Sequence, residues 1–181
     1  MWAVAWVVVL DVVTFLPPWI GGPAQIDPRP RVASDHVIER IQPSALSGLP
    51  RRITHFLASG RYTIPVVAEN PHHQNVVRGQ FARRGQRDWA VLASRGGYST
   101  IVVFWGGSTR KPAFIARKLD SAIRVIAKAG PRYILEHYRA YGGPKPPSPL
   151  DHDGIDDGYY EKASMVWYLH RGKWYELQGS D

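Results

Sequence analysis

The strongest alternation of apolar and polar positions lies near the C-terminal end. From Ser164 to His170, Met165, Trp167 and Leu169 fall on one side and Val166 and Tyr168 on the other, which is the two-residue period of a strand. Arg171-Gly172 supplies a short connection, and Lys173 to Gln178 returns with Trp174, Tyr175 and Leu177, so the stretch predicts a β-hairpin. Further back, extended runs alternate with glycine-bearing turns. Strands are predicted from Val76, from Trp89 to Ala93, through the unbroken apolar run Ile101–Phe104, from Ala113 to Lys118 and from Ala122 to Ala127. The run at Ile101 is apolar on both sides, which suits a central strand. The final hairpin is expected to complete the sheet that begins at Val76.

Helical spacing occurs in three places. Ser34 or Asp35 can cap a segment in which Val37, Ile38 and Ile41 share a face, before Pro43 interrupts it. A second helix is predicted from Ser47 or Leu49 through Ala58, with Leu49, Ile53, Phe56 and Leu57 on one side and Gly60 closing it. Tyr62 to Val67 reads as a short extended piece. A third helix spans Arg132 to Tyr141, with Pro131 at its start, Ile134, Leu135 and Tyr138 on one face, and Gly142-Gly143 as its stop. These elements predict an α+β domain, mostly antiparallel sheet, with N-terminal helices and one helix before the C-terminal hairpin.

Residues 1–24 differ from the rest. Met1 to Leu16 is apolar apart from Asp11 and Thr14, and the segment reads as an export signal that lacks the positive start such signals carry. The alternative is a membrane anchor through residues 2–20, against which Asp11 counts about 3 kcal/mol. Residues 25–34 form a Pro-rich linker and residues 35–181 one domain. The localisation expected on this basis is secreted or periplasmic.

Charge sharpens the picture. The net charge of +8 is the sum of +1 over residues 1–60, +11 over 61–148 and −4 over 149–181. Part of the basic middle can face the acidic tail; the remainder suits an anionic partner, whether an anionic polymer, a glycan or an envelope protein. Specific nucleic-acid recognition is disfavoured, since the basic residues form no Lys/Arg-rich helix and no known recognition motif. The absence of cysteine excludes disulfides, thiolate metal sites and a cysteine nucleophile. Seven Trp and nine Tyr favour strands or a surface that stacks on flat ligands. Trp105, Tyr141, Tyr159, Tyr160, Trp167 and Trp174 are the candidate binding rings.

Carboxylates and histidines are the other candidates. The acidic stretch after Pro149 is expected to be a turn. Asp151, Asp153 and Asp157, with the Ile155 carbonyl, have the alternate spacing of a calcium loop, and Gly154 permits its sharp bend. His72-His73 has no third ligand nearby in sequence. Glu136 and His137 are neighbours on a helix and diverge. Glu161 or Asp157 with His152 or His170 could make an acid/base pair if the fold joined them. No nucleophile-elbow or HExxH pattern occurs, and no catalytic residue is assigned.

Two resemblances add to this reading. Gly79 to Val91, GQFARRGQRDWAV, resembles the FG-GAP/VCBS-type repeat unit, in which a turn between two strands holds calcium with acids at alternate positions. Gly79, Phe81, Gly85, Asp88, Ala90 and Val91 keep that frame, whereas Gln80, Ala82 and Arg84 replace the acids. Asp151–Asp157 resembles later positions of the same loop. The stretches RDWAVLAS, VVFWGGS, YILEHYRAYGGPKPP, LDHDGIDD and EKASMVWYLHRGKW are similar to uncharacterised secreted bacterial single-domain proteins. The function expected is an exported binding or interaction module; the alternative is a cell-envelope hydrolase or carbohydrate-active protein.

Overall fold

Four layers build the structure: helix, sheet, sheet, helix. The computed structural model describes residues 38–67 and 75–181, which belong to one compact unit, Ala33–Asp181. The apolar start, the Pro-rich linker, the Ser34/Asp35 cap and His72-His73 lie outside the described residues. Among the described residues no helix is long and apolar enough to cross a membrane.

The strands are β1 (Glu39–Ile41), β2 (Ile64–Val66), β3 (Val76–Gly79), β4 (Asp88–Arg95), β5 (Tyr98–Phe104), β6 (Ala113–Leu119), β7 (Arg124–Ala129), β8 (Gly154–Tyr159), β9 (Ser164–His170) and β10 (Lys173–Gln178). The helices are α1 (Arg51–Ser59) and α2 (Pro131–Tyr141). The molecule is thus α+β and mostly antiparallel sheet. One four-stranded sheet runs β3-β4-β5-β6, a second runs β10-β9-β8-β7, and β1 pairs with β2. All pairs are antiparallel.

Three expectations need correction. Glu39–Ile41 is a strand paired with β2, Glu39 facing Val66, and not the end of a helix. So few residues before Pro43 cannot repay helix nucleation, and the exposed edge of β2 offers them hydrogen bonds instead. The acidic stretch is not a turn throughout: Gly154 opens β8, so Asp156 and Asp157 point to opposite faces of a strand. The final hairpin extends β8 in the second sheet, Asp156 pairing with Val166, and does not join the sheet begun at Val76.

The alternation of each strand fills the layers. On β4 and β5, Val91, Ala93, Val102 and Phe104 face α1 and pack with Ile53, Leu57 and Ile64. Their neighbours Ala90, Leu92, Ile101 and Val103 face the second sheet and pack with Phe81, Ile126 and Ile155. On the far side, Val166, Tyr168 and Leu177 pack against Ile134 of α2. Ile53 and Leu57 are fully buried and four residues apart, so they pin α1 to the sheet; replacing either by Ala would cost about 2–5 kcal/mol.

Polar groups tie the two sheets together. Asn75, buried and in the left-handed backbone region at φ 51°, donates from Nδ2 to the carbonyls of Pro65 (2.9 Å) and Arg124 (3.1 Å) and accepts from the Ile126 N–H (3.0 Å). Arg124, also buried, grips Asp157 with two bonds of 2.8 and 3.0 Å. Its other N–H groups reach the Ser99 carbonyl and hydroxyl and the Ala116 carbonyl.

Candidate binding groove

α1 is nine residues long and covers only part of the outer face of the first sheet. Beyond its end, the outward positions of β4, β5 and β6 line an open groove of about 520 Å³, formed by Tyr62, Arg95, Tyr98, Thr100, Phe114 and Arg117. A second hollow of about 470 Å³ shares Tyr62, Arg95 and Phe114 with it and continues along α1 past Arg52, His55 and Phe56. The two make one trough.

Local backbone geometry sets the rings. Gly60 ends α1, and a Cβ there would lie 2.7 Å from the Tyr62 ring, so only glycine lets Tyr62 rest against the helix end. The Arg95–Tyr98 pair closes the β4–β5 hairpin through Gly96 and Gly97, both at positive φ. A bulge between Ser99 and Ile101, with Ala116 opposite at φ 52°, shifts the β6 register. It aims Arg117 across the face of β5.

The arginines sit over the rings. The Arg117 guanidinium lies 3.7 Å from the Tyr98 ring centroid and that of Arg95 lies 4.6 Å from Tyr62. Arg95 also donates to the Gly60 carbonyl at 3.2 Å. Each such contact is worth about 0.5–1 kcal/mol at an exposed site, which helps to hold each guanidinium over its ring. The Tyr62 and Phe114 rings are 6.5 Å apart and tilted by 32°, and Phe114 is 51% exposed. None of the described residues lining the trough is a carboxylate. The nearest acid along β6, Asp120, is taken by Arg40 at 2.8 Å and by the Ser94 hydroxyl.

The rings singled out from sequence lie elsewhere. Trp105 and Trp174 stack on each other at 6.1 Å and pack on the layer between the sheets. Trp167 faces the same layer and donates its indole N–H to Asp157 at 3.2 Å. Tyr141 is exposed at the end of α2, and Tyr159 and Tyr160 sit at the β8–β9 turn. The groove rings Tyr62, Tyr98 and Phe114 escape sequence reasoning. Alternation along β4 to β6 puts Arg95, Tyr98, Phe114 and Arg117 at outward positions, but nothing in it says where α1 stops.

Each residue of the calcium expectation has a protein partner in the fold. Asp157 is buried against Arg124 and, at 2.9 Å, Lys118. Asp151 faces His152 at 2.8 Å, and Asp153 accepts from the Gln80 N–H at 2.9 Å. The Ile155 residue belongs to the β7–β8–β9 ladder. Among the described residues no group of three or more acids or histidines is placed to hold a metal. Asp88 of the repeat-like loop is likewise occupied, accepting from the N–H groups of Ala82 (2.9 Å) and Gly106 (2.7 Å).

The acid/base candidates do not converge either. His152 stacks on Tyr168 and its Nε2 donates to the Leu169 carbonyl at 2.8 Å, on the α2 side of the second sheet, whereas Asp157 faces the interior. His137 donates from Nδ1 to the Tyr133 carbonyl at 2.8 Å. A cleft of about 420 Å³ at the β8–β9 turn gathers Asp156, Tyr159, Tyr160 and Glu161, with no histidine among its described lining. Burial pushes the Asp156 carboxyl above its ordinary range, outweighing neighbours that include the Tyr133 hydroxyl, which donates to Oδ2 at 3.2 Å. Its Oδ1 is buried with no hydrogen-bond partner among the described residues.

No protein-family model matches this chain, and neither does a curated protein or a solved structure.

Proposed function

We propose that the domain is a binding module that holds an anionic polymer in the trough between α1 and β6. One observation carries this reading: two guanidiniums sit over tyrosine rings, 3.7 and 4.6 Å from the ring centroids, in a trough whose described lining contains no carboxylate. Planar forks presented this way suit carboxylate or phosphate oxygens, and the exposed rings add apolar contact. The apolar segment 1–24 supports an exported location for the module.

The test is a titration of the full chain with a polyuronate, a sulfated glycan, an oligonucleotide and a neutral glucan, repeated with Arg95→Ala/Arg117→Ala. At least one polyanion should bind at low salt, weaken as salt rises, and bind ten-fold or more weakly to the double variant. The neutral glucan should not bind. Failure of every polyanion, or binding indifferent to the arginine pair, would remove the reading.

A further inference from the structure

Resting on that reading, we infer that the polymer is single-stranded nucleic acid, held by base stacking and phosphate contacts without sequence readout.

The first reason is the donor character of the trough. Its charged side chains are Arg52, Arg95 and Arg117, and no carboxylate or carboxamide lies among its described lining. Thr100 already spends its hydroxyl proton on the Ile115 carbonyl at 2.9 Å. The charged groups of this surface are donors only and so favour a ligand rich in acceptor oxygens. The several hydroxyl donors on each sugar of a polysaccharide would meet only the neutral hydroxyls of Tyr62, Tyr98, Ser59, Thr100 and Thr109 and the His55 ring. A phosphodiester offers acceptor oxygens only, and a base offers a flat apolar face.

The second reason is order along the trough. Ring and cation are paired at Tyr98 with Arg117 and at Tyr62 with Arg95, Phe114 lies beside Tyr62, and the same trough continues past Arg52 and Phe56. A polynucleotide likewise carries a base beside each phosphate. Such platforms combine a positive track with stacking rings and tolerate any base, since every base has a π-face.

The third reason concerns strandedness. Phe114, 51% exposed, lies on the open face of the sheet, where an unpaired base can reach it, beside guanidinium planes on which bases also stack. In a duplex the faces of the bases are already stacked on one another, leaving only edges and phosphates. Sequence-neutral binding is also compatible with the absence of a recognition helix.

Fluorescence anisotropy of the full chain tests this with four probes: an oligothymidine of ~12 nucleotides, an abasic phosphodiester and a duplex of the same length, and a polyuronate. Oligothymidine should bind about ten-fold or more tightly than the abasic strand, and the duplex more weakly than oligothymidine. Phe114→Ala should weaken oligothymidine about five-fold or more and weaken the abasic strand distinctly less, so that the gap between the two probes narrows; an equal loss for both probes would overturn the stacking role. Phe114→Leu, which keeps apolar packing, should narrow the gap as well, and thermal melting should show both variants folded. Arg95→Gln/Arg117→Gln should flatten the logarithmic salt slope by about 1.4, at ~0.7 per lost phosphate contact. If the polyuronate or the abasic strand binds as tightly as oligothymidine, the nucleic-acid inference is overturned while the polyanion reading stands. If no polyanion binds, both fall.

Discussion

Asp153 and Gln80 exchange hydrogen bonds: the Gln80 N–H donates to the Asp153 carboxylate at 2.9 Å, and the Asp153 N–H donates to the Gln80 carbonyl at 3.1 Å. The two stretches that resemble calcium loops in sequence therefore meet, and the acid of one satisfies the backbone of the other. The contact is close, since a Cβ at Gly79 would lie 3.2 Å from the same Asp153 oxygen. Asp153 thus acts as a clasp between the β3–β4 loop and the start of β8.

A clasp and a metal ligand differ in what calcium does. Asp153→Ala is expected to lose about 1.5–3 kcal/mol, the usual value of a hydrogen bond to a charged group. Millimolar calcium should leave the melting temperature unchanged in both the wild type and the variant, because only ligands that bind the native state raise it. A calcium-dependent rise in the wild type that Asp153→Ala abolishes would refute the clasp.

That relationship also shows where sequence reading reaches and where it stops. The strands at β4 and β5 are legible as continuous apolar runs, since both of their faces are buried against a layer, and β9 is legible through its alternation; the Arg171-Gly172 turn then announces β10. The membership of β9 and β10 is not legible. Alternation reports which residues share a face, and the choice between two sheets rests on distant pairings such as Asp156 with Val166. The stretch at Asp151 misleads for a related reason. Asp and Gly at alternate positions describe a metal turn and the start of a strand equally well, and the decision falls to Arg124 and Gln80. The groove depends on the length of α1 and on a bulge at Ala116, features with weak local signatures.

Gly154 illustrates a role distinct from turning. Its φ is not in the left-handed region; instead, a Cβ there would come within 2.6 Å of Val166 Cγ1 and 3.1 Å of the Trp167 carbonyl. Gly154→Ala is therefore expected to destabilise by about 1–3 kcal/mol through overpacking. The combination with Val166→Ala should restore part of the loss, which chemical denaturation of the single and double variants would measure. Additive losses would show that the close approach does not govern the site.

Asn75 should be a sensitive polar position. Removing its carboxamide leaves the Pro65 and Arg124 carbonyls and the Ile126 N–H without this partner, at about 1–3 kcal/mol for each buried group left unsatisfied and with incomplete additivity. Asn75→Ala should also suffer at φ 51°, so Asn75→Gly is expected to be about 1 kcal/mol the milder of the two. Asn75→Asp replaces the donors with an acceptor opposite two carbonyls and should be at least as harmful as Ala. Equal stability of all three variants would show that the hydrogen bonds contribute little.

Acid should act on the second sheet through Asp156 and Asp157, neighbours with opposite shifts. Burial disfavours charge on Asp157, but Arg124 and then Lys118 outweigh it and hold its carboxyl below the ordinary range. Its folded pKa is thus the lower one, so its contribution is present above the ordinary value of about 3.9 and is lost as pH falls through the folded value. Asp156 is raised, chiefly by burial; the native state then holds more protons than the unfolded chain above the ordinary range, and stability rises as pH falls through that window. Melting followed from neutral to acidic pH should therefore show a rise from Asp156 before the loss from Asp157. Asp156→Asn should remove the rise. Asp157→Asn should remove the later loss while costing about 3–5 kcal/mol at neutral pH, because Arg124 remains buried without its counter-charge. Arg124→Met with Asp157→Leu should recover only part of that cost, since no buried charge is left behind but the Ser99 and Ala116 carbonyls and the Trp167 N–H lose their partners. If Asp157→Asn leaves neutral stability intact, Arg124 does not depend on it, and the ion pair is not what fixes Arg124 for its bonds to Ser99 and Ala116 of the first sheet.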